Sequence, residues 1–144
     1  MNRKTIVNSV VLFVLLTSMV IYYKYDTGKK NKIMEQLKTE YSSITIDENF
    51  IGVVSEIQHP YPELFKRLPH QAFILLNDSV KKRISTGYEL TKEITLDSIL
   101  NVGDQLTKKY GSDTLHIHKI QGSDTLVYSF QLRDDSGYPL KRKD

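Results

Sequence analysis

The chain opens with one long apolar segment and then changes to short runs in which hydrophobic and polar residues alternate. The apolar segment, IVNSVVLFVLLTSMVIYY at residues 6–23, carries no charge. Because a helix rises about 1.5 Å per residue, these 18 residues reach about 27 Å, close to the thickness of a hydrocarbon core. Tyr22, Tyr23 and Lys24 end the run as residues at a membrane interface do. The pattern predicts a transmembrane signal anchor over residues 1–23.

A cleaved secretory signal is the alternative interpretation, since Arg3 and Lys4 precede the run as they do in export signals. The run is long for such a signal, however, and no A-x-A cleavage site follows it; the first alanine is Ala72. We therefore expect an uncleaved, single-pass anchor in the inner (cytoplasmic) membrane, with the domain on the periplasmic or extracellular side. The lysines that follow Tyr23 favour the opposite orientation when the positive-inside rule is applied literally.

Residues 24–43 are predicted to form a basic linker that contains a short amphipathic helix. Gly28 and the lysines beside it indicate a break in the chain at the membrane surface. Ile33, Leu37 and Tyr41 recur every fourth residue and predict one apolar stripe on the short helix.

From Ile44 onward the pattern becomes that of β-strands. We assign residues 44–134 to a β-rich globular domain and residues 135–144 to a polar C-terminal tail. β-Branched residues are frequent at the start of the domain, where Gly52 marks either a bulge or the close approach of another strand. A short turn or helix is expected over residues 96–100, with a strand starting near Asp104.

The segment AFILLNDSVKKRIS predicts a β-hairpin. If residues 77–79 form its loop, Leu76 lies opposite Val80. The first strand is apolar on both faces, which is typical of a central strand, whereas the basic residues 81–83 mark a more exposed partner.

The pentapeptide GSDTL occurs twice, at residues 111–115 and 122–126, and both copies are rich in turn-forming residues. With residues 121–124 as a hairpin loop, Ile117 lies opposite Tyr128 on an apolar face, while the other face is mostly polar. The repeat therefore marks two turns of a meander. Together these patterns predict a mainly β fold, a small antiparallel barrel or curved meander sheet of five to seven strands, with an N-terminal transmembrane helix.

Composition excludes several classes of protein. The net charge is +3, but the excess of basic residues lies just before and just after the apolar segment, so residues 44–144 are close to neutral and lack the basic surface that nucleic-acid binding requires. The chain contains no cysteine, which excludes disulfides, thiolate metal sites and a cysteine nucleophile.

His116 and His118 are the most metal-like pair in the sequence, because alternate residues of a strand project from one face. A Zn²⁺ or Cu²⁺ site needs a third and usually a fourth ligand. His59, His70 and Asp113 are the candidates, and the sequence does not place them.

The stretch GDQLTK resembles the G-D-(S/T)-(I/L)-x-K stretch of small uncharacterised bacterial proteins that have an N-terminal anchor and a β-rich domain. Gly103, Asp104, Leu106 and Lys108 match, and Gln105 replaces the small hydroxyl residue. The resemblance extends loosely over residues 50–120. It implies a fold and a topology but no activity. In this interpretation Gly-Asp makes the turn into a strand, and the lysine shields the exposed face of that strand.

No phosphate loop, calcium loop or serine-nucleophile motif is present in the sequence. The leading hypothesis is a membrane-anchored, non-catalytic binding or assembly module of the bacterial cell envelope. It predicts contact with the membrane through the helix and with envelope proteins, and no cofactor, nucleic acid or small-molecule ligand. The alternatives are a metal-binding or sensing protein that uses His116 and His118, and a hydrolase whose site residues are dispersed along the chain.

Overall fold

The computed structural model describes residues 3–58, 70–90 and 93–141. By compactness the chain divides into two units, Met1–Gln36 and Leu37–Asp144. The segment HPYPELFKRLP at residues 59–69 contains three prolines, which predict a connector and not a central strand, and it lies outside the described residues.

A single helix, α1, runs from Arg3 to Glu40. The predicted break at Gly28 is wrong, because the helix continues through this residue. Glycine costs only about 1 kcal/mol in a helix interior, and the residues that follow it, such as lysine, glutamate and leucine, are strong helix formers. An ion pair between Asp26 and Lys30, four residues apart, also spans the glycine. The amphipathic segment is therefore the end of α1 and not a separate helix.

The apolar part of α1 is long and apolar enough to cross a membrane, by length and composition. Its large apolar side chains between Val10 and Tyr23 are all more than half exposed. A signal sequence near an N-terminus has the same properties, so both interpretations of this segment fit the helix.

The described residues of the second unit form seven strands and one short helix. The strands are β1 (Ser42–Ser43), β2 (Phe50–Gln58), β3 (Gln71–Leu76), β4 (Val80–Glu89), β5 (Gln105–Lys108), β6 (Thr114–Gln121) and β7 (Asp124–Leu132). The helix α2 (Leu96–Ile99) lies between β4 and β5, where the sequence predicted it. The strand expected from Ile44 onward begins at Phe50, as β2; Ile44 is instead a buried loop residue that joins the core.

The strands form one mixed sheet in the order β1-β4-β3-β2-β5-β6-β7, and an additional pairing of β4 with β7 closes it into a ring. β1 pairs with β4 in parallel. Every other pairing among the described strands is antiparallel, as predicted. The number of strands is at the upper end of the predicted range.

Two irregular strands make the closure possible. The pairing of β2 with β3 shifts register between Val54 and Glu56, so that β2 pairs with β5 before this point and with β3 around and after it. β4 pairs with β3 up to Ser85 and with β7 from Thr86 onward, and a second shift, between Thr86 and Glu89, lies in its pairing with β7. A bulge bends its strand and increases the local twist. β2 therefore pairs with both β3 and β5, and β4 pairs with both β3 and β7.

Gly52 allows a close approach, one of the two roles predicted for it. A Cβ atom at this position would lie 3.3 Å from the Cβ atom of Leu76 on the neighbouring strand. The bulge itself lies further along β2.

The interior of the ring is filled by aliphatic and aromatic side chains from six strands and α2. The fully buried members include Val54, Ile74, Ile84, Leu96, Leu106, Leu115, Ile117, Phe130 and Leu132. Along each strand these buried residues alternate with residues that project outward. The alternation determines which side chains reach the outer surface of the ring.

Both predicted hairpins have the expected register. Leu76 lies opposite Val80, and the loop uses positive φ at Asn77 and Asp78. In the second hairpin Ile117 lies opposite Tyr128. Its loop is shorter than predicted, because the residues at positions 121 and 124 pair and leave a two-residue turn with Gly122 at φ +65°, as in a type II′ turn.

Two predictions near the C-terminal end need correction. The alternation that puts Tyr128 on the apolar face predicts Leu126 there too, but Leu126 lies at the hairpin tip beyond the core and is 41% exposed. The predicted polar tail folds back on the domain: Arg133 bridges to Pro139, and the Leu140 amide donates to the Leu132 carbonyl at 3.1 Å. The tail contains Pro139 and Leu140, and Leu140 packs against the core.

Candidate functional site

The outer surface of β2, β5, β6 and β7 brings together residues from distant parts of the sequence; we call it the four-strand face. Strand register aligns its residues in two rows. One row consists of Val53, Gln105, His118 and Val127, and the other of Ile51, Thr107, His116 and Ser129.

These side chains project outward, as the burial of their neighbours along the chain shows. Val54, Leu106, Ile117 and Phe130 alternate with them along the strands and are buried in the core. Successive side chains of a strand point to opposite sides of the sheet. The two rows therefore form the outside of the ring.

The four-strand face combines exposed apolar side chains with an absence of formal charge. None of its eight residues is acidic or a lysine or arginine, although 26% of the chain is charged. Ile51 is 64% exposed and Val127 is 51% exposed. Ile120 extends the outer side of β6 towards the hairpin tip and is the most exposed of these residues. Scattered apolar residues are normal on a surface, but an aligned and charge-free group is typical of the core of a binding surface.

His116 lies at the centre of this face and is partly buried. Its Nδ1 atom is 2.9 Å from the Oγ atom of Ser129, its partner on β7. Burial lowers the pKa of the His116 imidazole below its usual value of 6.5, and the nearby His118 and Lys109 lower it further. These surroundings therefore favour the uncharged imidazole.

His118 lies in the other row, between Gln105 and Val127, and is also partly buried. The structure places both histidines on the same outer surface, as predicted. Among residues 3–58, 70–90 and 93–141, no group of three or more histidines and acidic residues could hold a metal ion.

The other predicted metal ligands have different partners. The Nδ1 atom of His70 lies 3.3 Å from the Gly87 carbonyl, and its ring packs edge-on against Tyr88. The carboxylate of Asp113 accepts a hydrogen bond from Gln131 Nε2 at 2.9 Å. The remaining candidate, at position 59, lies outside the described residues. The metal hypothesis stays a prediction that rests on two ligands.

The hydrolase hypothesis gains no support from the contacts of Ser129. Its hydroxyl contacts His116, but its backbone amide donates to Glu89 Oε1 at 3.2 Å. A nucleophilic serine requires a carboxylate that orients the imidazole and donors for the oxyanion. Here the carboxylate holds a backbone amide, so these hydrogen bonds tie β7 to its neighbours.

Lys108 differs from its predicted role. It was expected to shield the exposed face of β5, but it is fully buried on the inner side of that strand. Its Nζ atom donates to the carbonyl oxygens of Ile46 at 3.2 Å, Glu48 at 3.3 Å and Lys109 at 2.8 Å. Desolvation lowers the pKa of the Lys108 amine below 10.5, and the charge of Glu48 partly opposes this effect. Lys108 therefore holds the loop before β2 against β5.

The Gly103-Asp104 pair makes the turn into β5, as predicted, with Gly103 at φ +93°. Asp104 is buried, and its carboxylate accepts the Asn101 amide at 2.8 Å and pairs with Lys119 at 3.0 Å. The residues that carry the family resemblance thus have structural partners in this chain.

The outer surface of β3 and β4, which we call the covered face, has a different organisation. Phe73 is buried there beneath Tyr41, whose ring meets it edge-on at 5.7 Å between centroids. Arg83, expected to be exposed, is buried because it binds Ser43 and pairs with Asp135 at 2.8 Å.

A groove of about 870 Å³ lies between residues 43–47 and residues 133–141. Its carboxylates hold the chain in place: Asp134 accepts the amides of Ser136 and Tyr138, each at 2.9 Å, and Asp135 pairs with Arg83. The groove therefore has a clear structural function and is a weaker candidate for a binding site than the four-strand face.

Sequence reasoning located the two histidines but missed the face that surrounds them. The alternating uncharged residues of each strand are visible in the sequence. The pairing of β2 with β5 joins segments about fifty residues apart, however, and no turn motif specifies it. Comparison of the chain with protein-family models, curated proteins and solved structures gives no significant match. A functional proposal must therefore come from the geometry.

Proposed function

We propose that the protein is a membrane-anchored, non-catalytic binding module of the bacterial cell envelope, with a small barrel-like β-domain. The four-strand face carries this proposal. It aligns eight uncharged residues and exposes Ile51, Val53 and Val127 among them. Depletion of charged residues is the compositional feature of the centre of a protein–protein interface.

The partner in this proposal is another protein at the same membrane. A nucleic acid would require lysines or arginines, which the face lacks. An anionic lipid surface would require the same cations. The apolar helix α1 would restrict the domain to the membrane, so that partners in the same membrane encounter it at high local concentration.

Site-specific photo-crosslinking in cells tests the docking proposal. A photoreactive amino acid at Val127 is expected to give one discrete adduct with a second protein. The same amino acid at Asp78, an exposed residue in the β3–β4 loop, provides the control and should give no such adduct. The substitution Ile51→Lys places a charge in the neighbouring row and should abolish the Val127 adduct.

Three results would contradict the proposal. They are the absence of an adduct at Val127, the same adducts from Val127 and Asp78, or an adduct that survives Ile51→Lys. An adduct between two copies of this chain would replace docking of a different protein with self-association.

The proposed location is the inner membrane, with the domain on the periplasmic or extracellular side. Because the chain lacks cysteine, one introduced cysteine at Asp78 reports the side of the membrane. We expect a membrane-impermeant maleimide to label Asp78→Cys in intact spheroplasts. Labelling only after lysis would reverse the orientation, and loss of the N-terminal segment from the mature chain would identify a cleaved signal.

A further inference from the structure

His116 and His118 are alternate residues of β6 and both belong to the four-strand face. We propose that they form a two-imidazole binding site for one divalent transition metal ion of the Cu²⁺ or Zn²⁺ class. Imidazole nitrogen is a preferred ligand of both ions. The inference does not depend on the docking proposal, because it concerns only the chemistry of the two side chains.

The contact with Ser129 can hold the His116 ring in a tautomer and an orientation suited to metal binding. When Nδ1 carries the proton, it donates to Ser129 Oγ across 2.9 Å, and the lone pair of Nε2 stays available for a metal ion. A hydrogen bond from the second ring nitrogen to a neighbouring group is the arrangement that fixes the tautomer and orientation of metal-bound histidines. Thr107 flanks His116 on the other strand and brings no charge.

Lys109 is a cation near His116, and its positive charge opposes metal binding. Water would complete the coordination, since the cross-strand neighbours of His118, Gln105 and Val127, are uncharged.

Calorimetry with Cu²⁺ and Zn²⁺ on the full chain in detergent micelles, purified without a histidine tag, tests the site. We expect one equivalent of at least one metal to bind. His116→Gln and His118→Gln should each weaken binding about tenfold or more, and Ser129→Ala should weaken it about 10–100-fold by releasing the ring. With Cu²⁺, electron paramagnetic resonance should detect two coordinated nitrogens in the parent chain and one in each histidine variant.

His70→Gln is the matched control, because this residue contacts the Gly87 carbonyl elsewhere in the domain; His59→Gln is the second control. Both variants should bind the metal like the parent chain. The proposal is overturned if neither metal binds, if binding survives His116→Gln or His118→Gln, or if either control variant loses it. Unchanged affinity in Ser129→Ala would refute the orienting role of the serine.

Discussion

The two outer faces of the ring differ in how much of the surface of their apolar side chains is buried. On the covered face, Phe73 is 1% exposed because Tyr41 packs over it, and Arg83 is held by Ser43 and Asp135. On the four-strand face, Ile51 keeps most of its surface in solvent. Burial stabilises a fold in proportion to the apolar area removed from water. The covered face therefore contributes to stability, whereas exposed residues of the four-strand face such as Ile51 contribute little.

The largest expected effect is a difference in stability between matched alanine substitutions on the two faces. Phe73→Ala should lower the free energy of unfolding by about 3–5 kcal/mol, because it removes a buried aromatic ring and leaves a cavity beneath Tyr41. Ile51→Ala is the matched change on the four-strand face and should alter stability by less than about 0.5 kcal/mol. Urea unfolding of the full chain in detergent, followed by circular dichroism, measures both values. Equal losses in the two variants would eliminate the contrast between the faces.

An intermediate effect is expected behind the four-strand face, at Lys108. Lys108→Met should destabilise the domain by about 1–3 kcal/mol at neutral pH, because the carbonyls of Ile46, Glu48 and Lys109 lose their donor. Unfolding in urea measures the difference from the parent chain. A variant as stable as the parent would mean that the buried charge costs as much as its hydrogen bonds contribute.

The pH dependence of this difference has a definite sign. The folded-state pKa of Lys108 lies below the ordinary value of 10.5, so between these two values the unfolded chain binds more protons than the folded one. The stability of the parent relative to Lys108→Met should therefore increase as pH rises through this window. Lys81, on the covered face, should show the opposite trend, because its hydrogen bond with Glu40 raises its pKa. Parallel pH profiles for the parent and Lys108→Met would contradict this assignment.

The smallest expected effect is at the tip of the β6–β7 hairpin, which carries the exposed end of the four-strand face. Gly122→Ala should cost about 1–2 kcal/mol, because φ at this position is +65° and an L-residue is strained there. Ser123→Ala, at the next position of the turn, is the control and should be close to neutral. If thermal unfolding shows no difference between them, the turn has another conformation.

Local features of the fold could be predicted from the sequence, because neighbouring residues determine them. The register of both hairpins follows from their turn residues and alternating apolar positions, and α2 follows from a short apolar pattern. For the same reason the sequence alone predicts that His116 and His118 lie on one surface.

The features that sequence missed depend on contacts between distant segments. Pairing of β4 with β7 closes the ring, but no local signal encodes it. Lys108 looked like a surface residue because its three carbonyl partners come from a loop about sixty residues earlier and from its own neighbour. Gly28 looked like a helix break because its surroundings, and not the glycine itself, decide whether the helix continues.

Closure of the ring also limits how a partner can be recognised. Most strands use one another's backbone amides and carbonyls, but β4 pairs with β7 only at Thr86 and Glu89, so the described pairings give residues 124–128 of β7 a neighbouring strand on one side alone. Along the closed part of the ring a peptide could therefore not attach as an added strand, a common route both to recognition and to uncontrolled aggregation. A partner there would have to contact side chains, and its specificity would depend on the shape and polarity of the surface; an added strand would have to pair with the open side of the β6–β7 hairpin.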